Sequence, residues 1–359
     1  MTLWQTGVAA VRGDHAVARA LAQGLDRPDR IIAVGKAAAA MAKPAAQTWP
    51  DVPCLIVTKY GHSADAPTHA QVIEAAHPVP DAASVTAGRA LQETVAACAP
   101  GSHLLMLVSG GASALAEVPV DGLSLDDVKA RTDALLASGT PIGAMNATRT
   151  ELSQIKGGKL LAGFAGAQVT TLALSDVEGD ALATIGSGIG DAPRDAGFAF
   201  AAQIVASNAI ARAAVAAASP VPVHTNNETL YDDVAALAPR IAHQLIAGAP
   251  GLHIFGGEPV VHLPDNPGLG GRNMALALRL AHDLTGVAGL HVLVAGTDGT
   301  DGPTDAAGAL IDGATWQDSG AQALARADAY PWLDRRGALV KTGPTGTNVM
   351  DLLIAYKSP

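Results

Sequence analysis

The chain has 359 residues, with 23 Lys and Arg against 33 Asp and Glu and a formal net charge of -10. That balance, with no basic run anywhere, excludes a nucleic-acid surface, which needs clustered cations to meet phosphate backbones. Hydrophobic residues make up 49% and aromatics only 3%, so the available core is one of Ala, Val, Leu and Ile, suited to parallel strands between alanine-rich helices.

The length suits two domains, at roughly 100 to 200 residues each. The opening stretch MTLWQTGVAAVRGDHAVARAL has no basic region followed by an apolar block. No later segment offers about 18 uninterrupted apolar residues. A cytoplasmic protein with no membrane partner is expected. Cys54 and Cys98 are the two cysteines; each has apolar neighbours, which is neither a disulfide framework nor a zinc-ligand spacing, so both are expected buried and reduced.

Short apolar runs predict strands at 30–35, 54–59, 104–109, 169–175, 253–257 and 291–296. Alanine-rich helical segments follow nearly all of them, which is the βα pattern of an α/β fold with a parallel sheet. Each run ends in small or charged residues: AVGKA, VTKYGH, LVSGGAS, ALSDVEGD, FGGEP and VAGTDGTDG. Open α/β sheets bind ligands at that carboxyl edge. A domain boundary is expected at 248–251, dividing the chain into 1–248 and 249–359, with 219–227 as a second candidate.

Taken in chain order, the first chemistry is in IIAVGKAAAAMA, where Lys36 follows a strand and a glycine and opens a helix. A surface lysine there would oppose the helix dipole, whereas a cation over the sheet edge can offset charge on a transferring phosphoryl group. Only Gly35 is present where a dinucleotide fingerprint requires G-x-G-x-x-G. Next, LLMLVSGGASAL runs from strand through Ser109, Gly110 and Gly111 to Ser113, a turn that can offer backbone N–H groups to an anion. It is neither a Walker A loop nor a G-x-S-x-G elbow. The loop residues His62 and His77 read as turn and packing residues.

In MNATRTELSQIKGGKLLAG, Arg149 and Lys156 are seven residues apart, about two helical turns, and are expected on one face able to hold a carboxylate or phosphate, with Lys159 nearby. Carboxylates gather in SDVEGD, with Asp176, Glu178 and Asp180, and in AGTDGTDGPTDAAG, with Asp298, Asp301 and Asp305. At strand ends they are suitable oxygen ligands for Mg²⁺, and one could accept a hydroxyl proton. Between them, FGGEPVVHLPDNPGLGGRNM sets Arg272 and Asn273 after Gly270 and Gly271, at the start of a periodic helix. An arginine fork there could grip a carboxylate or phosphate, and Glu258 could pair with it.

Together VGKAAAAMA, HPVPD, LVSGGASAL, IKGGKLLA, SDVEGD, SNAIA, GGEPVV, GGRN, AGTDGTDGPTDAAGA and TGPTGTNVMDL resemble the glycerate 2-kinase family, whose C-terminal part is the MOFRL domain. The matches run in order over 34–352. The resemblance implies two domains of Rossmann-like topology with mostly parallel sheets and the active site in the cleft between them. It implies ATP with Mg²⁺ phosphorylating the 2-hydroxyl of D-glycerate, with Lys36 and Arg272 facing each other from the two domains. Catalytic candidates are then Lys36, Arg272, Asp176 and Asp298. Nucleotide-binding candidates are Ser109, Gly110, Gly111, Ser113, Lys156, Gly257, Glu258 and Asn273, and metal candidates are Asp176, Asp298 and Asp301. A homodimer is compatible with this reading, and no sequence feature specifies it. The family continues GGRN with Gln-Glu where Met274 and Ala275 stand here, carries a third glycine where Ala112 stands, and is proline-rich where ALATIGSGIGD stands. A nicotinamide-dependent hydroxypyruvate reductase and a catalytically silent anion sensor are the alternatives.

Overall fold

The structure, a computed structural model, describes residues 1–137 and 142–359. Two compact units emerge: Arg12–Ser207, and Met1–Val11 with Asn208–Pro359. Both are α/β, and no helix among the described residues is long and apolar enough to cross a membrane.

The Arg12–Ser207 unit is built on β1 (Arg30–Val34), β2 (Cys54–Lys59), β3 (Gln71–Ala75), β4 (His103–Val108), β5 (Gln168–Leu174) and β6 (Ala199–Ala206). They lie in the order β3-β2-β1-β4-β5-β6, all parallel. This is the doubly wound order, in which the chain leaves β1 and β4 in opposite directions and opens a crevice at their carboxyl ends. The apolar runs form strands because both sheet faces are covered: every residue of β4 is buried. Ile32, Val34, Leu104, Met106 and Val108 pack with Leu91, Ile155 and Ile185 from the covering segments. Both cysteines are buried and free, and burial pushes the Cys54 thiol up to about 12.

The second unit contains β7 (Val223–Glu228), β8 (Gly251–Gly257), β9 (Leu290–Gly296), β10 (Gly308–Asp312), β11 (Leu339–Val340) and β12 (Asp351–Lys357). Their order is β11-β10-β9-β12-β8-β7. β7 and β8 are parallel, but β12 runs antiparallel to β8 and β9, and β10 runs antiparallel to β9 and β11. The sheet is therefore mixed, with the carboxyl ends of β8 and β9 beside the start of β12. The helices Val234–Ala247 and Arg272–Asp283 bury Leu237, Ile241, Met274, Leu276 and Leu280 against it.

The unit boundary falls after Ser207 rather than at 248–251. β7 and the helix Val234–Ala247 come before β8 in sequence, yet pair with it or pack on its sheet. The opening helix Thr2–Val11 also belongs here: it packs on the helix Asn208–Ala217, and Thr347 Oγ1 donates to Val11 O at 2.6 Å.

Candidate active site

In the Arg12–Ser207 unit the crevice is made by the turns after β1, β4 and β5. Gly35 has φ of +130°, and a β-carbon there would run into the backbone and Oγ of Ser109, so the first two turns interlock. Lys36 N donates to Gly110 O at 2.9 Å, and Ala37 N donates to Ser109 Oγ at 3.1 Å. Ser109 is fully buried; it clamps the turns together instead of presenting its hydroxyl. Ser113 is likewise tied inward, accepting from Ser187 Oγ at 2.9 Å.

That interlock sets chemistry around two consecutive glycines. A β-carbon on Gly110 would overlap the carboxylate of Asp176. One on Gly111, which has φ of +84°, would lie 3.0 Å from Cγ and 3.1 Å from Cε of Lys36, and 3.1 Å from Cδ2 of His77. Lys36, Gly110, Gly111 and Asp176, four of the expected site residues, are thus brought together. Burial first, then the charges of Lys36, Lys59 and His62, push His77 down to about 4, so its imidazole is neutral at ordinary pH.

Lys156 is placed differently from expectation. The helix Ile142–Glu151 ends before it, and Gly157 and Gly158 have left-handed φ of +63° and +80°. Arg149 and Lys156 therefore share no helical face. Lys156 Nζ donates to Glu117 instead, in an ion pair whose side chains are 3% and 1% exposed. Burial pulls the ammonium below its ordinary pKa against the attraction of Glu117. Lys159 is spent on the helix end, donating to Thr150 O at 2.6 Å and Ser153 O at 2.8 Å. This is a structural knot, not an open phosphate site.

In the other unit, Arg272 opens its helix beside the ends of β8 and β12. Its Nε donates to Asp351 Oδ2 at 2.6 Å, Nη2 to Asp351 Oδ1 at 3.4 Å and Nη1 to Glu258 Oε1 at 2.6 Å. Burial works against the charge, but Asp351 and Glu258 more than offset it and hold the guanidinium above its ordinary pKa. A guanidinium has five N–H groups; these three bonds leave two for a ligand, on a side chain 34% exposed. The expected Arg272–Glu258 pair is present. Asp351, the more deeply buried partner, was not among the sequence candidates; the signal available was a carboxylate opening the apolar run DLLIAY.

Asn273 Nδ2 donates to Asp351 Oδ1 at 2.9 Å. Asp301 caps the same helix, accepting from Asn273 N at 3.1 Å and Met274 N at 2.8 Å. Burial raises its pKa to about 7 despite those two bonds. Asp301 is therefore a helix cap, and its oxygens are taken up by backbone N–H groups rather than held open for a metal. Asp298 Oδ1 closes a turn, accepting from Thr300 N at 2.9 Å and Thr300 Oγ1 at 3.1 Å. Gly257, with φ of +135°, leaves room for the Leu230 backbone. Among the described residues no three His, Cys, Asp or Glu side chains gather as a ready-made metal centre.

Residues 1–222 match a domain of unknown function designated DUF4147, and residues 251–351 match the MOFRL family. A D-glycerate 2-kinase of Thermotoga maritima is 38% identical over 397 aligned positions, covering 97% of this chain and 95% of the relative. A glycerate 2-kinase of Pyrococcus horikoshii is 31% identical, covering 90% and 86%. An Agrobacterium vitis protein provisionally named hydroxypyruvate reductase is 38% identical, covering 90% and 97%. The crystal structure of a glycerate kinase from Thermotoga maritima superposes with a TM-score of 0.89 at 34% identity, over 99% of this chain and 98% of that one. At 38% identity over nearly the whole of both chains, the likeness shows the family: the chain belongs to the glycerate 2-kinase family.

Proposed function

We propose that this chain is a cytoplasmic kinase that transfers the γ-phosphoryl group of ATP to the 2-hydroxyl of D-glycerate, giving 2-phosphoglycerate and ADP. The observation that carries the reading is the placement of Lys36 and Asp176 over adjacent glycines at the β1/β4 crevice, in a chain alike over nearly its whole length to a D-glycerate 2-kinase. Asp176 is the carboxylate suited to accept the hydroxyl proton as the oxygen attacks. Lys36 offsets charge on the phosphoryl group in flight. Arg272, held in orientation by Asp351 and Glu258, keeps two N–H groups for a phosphate or carboxylate.

Mg²⁺ in kinases keeps waters and phosphate oxygens and needs only one or two protein carboxylates. Among the carboxylates present, Asp298, whose Oδ1 alone is engaged in the turn, fits that modest demand. When bound, the ion would screen the phosphate oxygens from one another.

The test is ADP release from ATP with D-glycerate, with and without excess chelator, alongside NADH oxidation with hydroxypyruvate. Glycerate-dependent, chelator-sensitive ADP release with no NADH oxidation is expected. NADH oxidation without ADP release overturns the reading.

A further inference from the structure

The row of turns at the carboxyl edge of the parallel sheet is asymmetric. Neighbouring strands lie ~4.8 Å apart. Across the order β3-β2-β1-β4-β5 they present His77 two residues past the end of β3, Lys59 at the end of β2, Lys36 after β1, the glycine pair after β4 and Asp176 after β5. Every group on one side is basic, and the group on the other is a carboxylate.

Three of those basic groups are unspent. Among the described residues neither Lys36 nor Lys59 is in an ion pair, and neither ring nitrogen of His77 has a hydrogen-bond partner. His77 is partly buried, and Lys36, Lys59 and His62 are close enough that their charges help to keep it neutral. With no protein partner on either ring nitrogen, His77 has an N–H that the fold leaves for an incoming acceptor. A neutral imidazole can still donate one N–H.

Scale selects the occupant. Consecutive Cα atoms are ~3.8 Å apart. Asp176 lies against Gly110, while Lys36 and His77 lie against Gly111. Acidic and basic ends thus flank one pair of adjacent glycines, a setting for a small acid that carries a hydroxyl at one end and a carboxylate at the other. A polyphosphate laid across the same glycines would meet the Asp176 carboxylate.

We propose that His77 and Lys59 form the carboxylate-binding subsite for the acid substrate, His77 donating an N–H and Lys59 supplying charge, so that the 2-hydroxyl is turned toward Asp176. The subsite rests on the kinase reading and deepens it, by making an anionic C1 group the feature the enzyme selects.

The test uses the full chain with His77→Gln and Lys59→Met. Loss of a charge-assisted hydrogen bond raises KM for D-glycerate roughly 10- to 100-fold, with kcat and KM for ATP within about threefold. D-glyceramide, which keeps the hydroxyls but replaces the carboxylate with an amide, separates binding from general damage. The wild type should prefer glycerate, and both variants should lose most of that preference. Calorimetric titration of D-glycerate without ATP should show the same weakening. A rise in KM for ATP with glycerate unchanged, or equal losses on acid and amide, overturns the subsite. If the wild type binds D-glycerate and the variants bind it less, yet no ADP is released, the subsite stands and the kinase reading falls. ADP release with unaltered variants sinks the subsite alone.

Discussion

Asp351, with a side chain 2% exposed, grips Arg272 through Nε at 2.6 Å and Nη2 at 3.4 Å while accepting from Asn273 Nδ2 at 2.9 Å. Buried at the start of β12, it fixes the plane of the guanidinium. Glu258, 48% exposed, steadies the outer nitrogen.

Arg272→Lys keeps the charge but cannot hold Asp351 in a fork and reach Glu258 together. KM for glycerate or for ATP should rise more than kcat falls. Asp351→Asn should reproduce the KM rise with Arg272 intact, because the fork loses its orientation. The double variant should be little worse than either single one, since both remove one unit. Additive losses in steady-state kinetics would mean that Asp351 acts independently of Arg272.

The strands that were legible are those whose burial makes them continuous apolar runs, such as IIAV, LLMLV and VLVAG. β3 and β7, at sheet edges with mixed exposure, read QVIEA and VHTNNE and give no such signal. β6 is alanine-rich and largely exposed, so it carries neither helical nor strand periodicity. In the candidate site, the closeness of Lys36, Gly110, Gly111 and Asp176 is legible because each stands at a strand end, where α/β topology gathers residues. The partners are not. Glu117 and Lys156 are 39 positions apart, and Asp351 and Arg272 are 79 apart; only tertiary packing pairs them. Asp301 reads as a ligand because its use as a cap depends on helix N–H groups that lie 27 and 28 residues earlier.

Lys36 touches the space over Gly111 with its aliphatic stem and is in no ion pair among the described residues. Its charge is therefore available to the reaction. Lys36→Ala should lower kcat by roughly 10² to 10³ while KM for either substrate stays within a few-fold. An unchanged melting curve and unchanged kcat would remove Lys36 from the chemistry.

Glu117 and Lys156 predict stability effects. Deleting one member of a buried pair strands the other charge, so Glu117→Ala should cost about 3 to 5 kcal/mol in denaturant unfolding. Glu117→Leu combined with Lys156→Met should recover most of that loss. The double variant should also keep KM for ATP near the wild-type value, because the ammonium faces Glu117 rather than an open site. A large KM rise in a well-folded double variant would return Lys156 to nucleotide binding.

Asp301 predicts a pH dependence of stability. Its folded pKa is about 7 against an ordinary 3.8, because burial outweighs the two backbone N–H bonds that favour its charge. Between those values the folded chain keeps a proton that the unfolded chain has released, so stability must fall as pH rises through the window. Below about pH 4 both states are protonated and the group costs nothing; above about 7 the full penalty is present. Asp301→Asn cannot ionise. It keeps one oxygen for a helix N–H and loses the other, which is an offset that does not vary with pH. The wild-type advantage in melting temperature over Asp301→Asn should therefore be largest near pH 4, shrink steadily toward pH 7 and level off beyond it. A constant difference across pH 4 to 8 would mean that the cap is ionised throughout, and that the N–H groups of Asn273 and Met274 stabilise its charge more than burial opposes it.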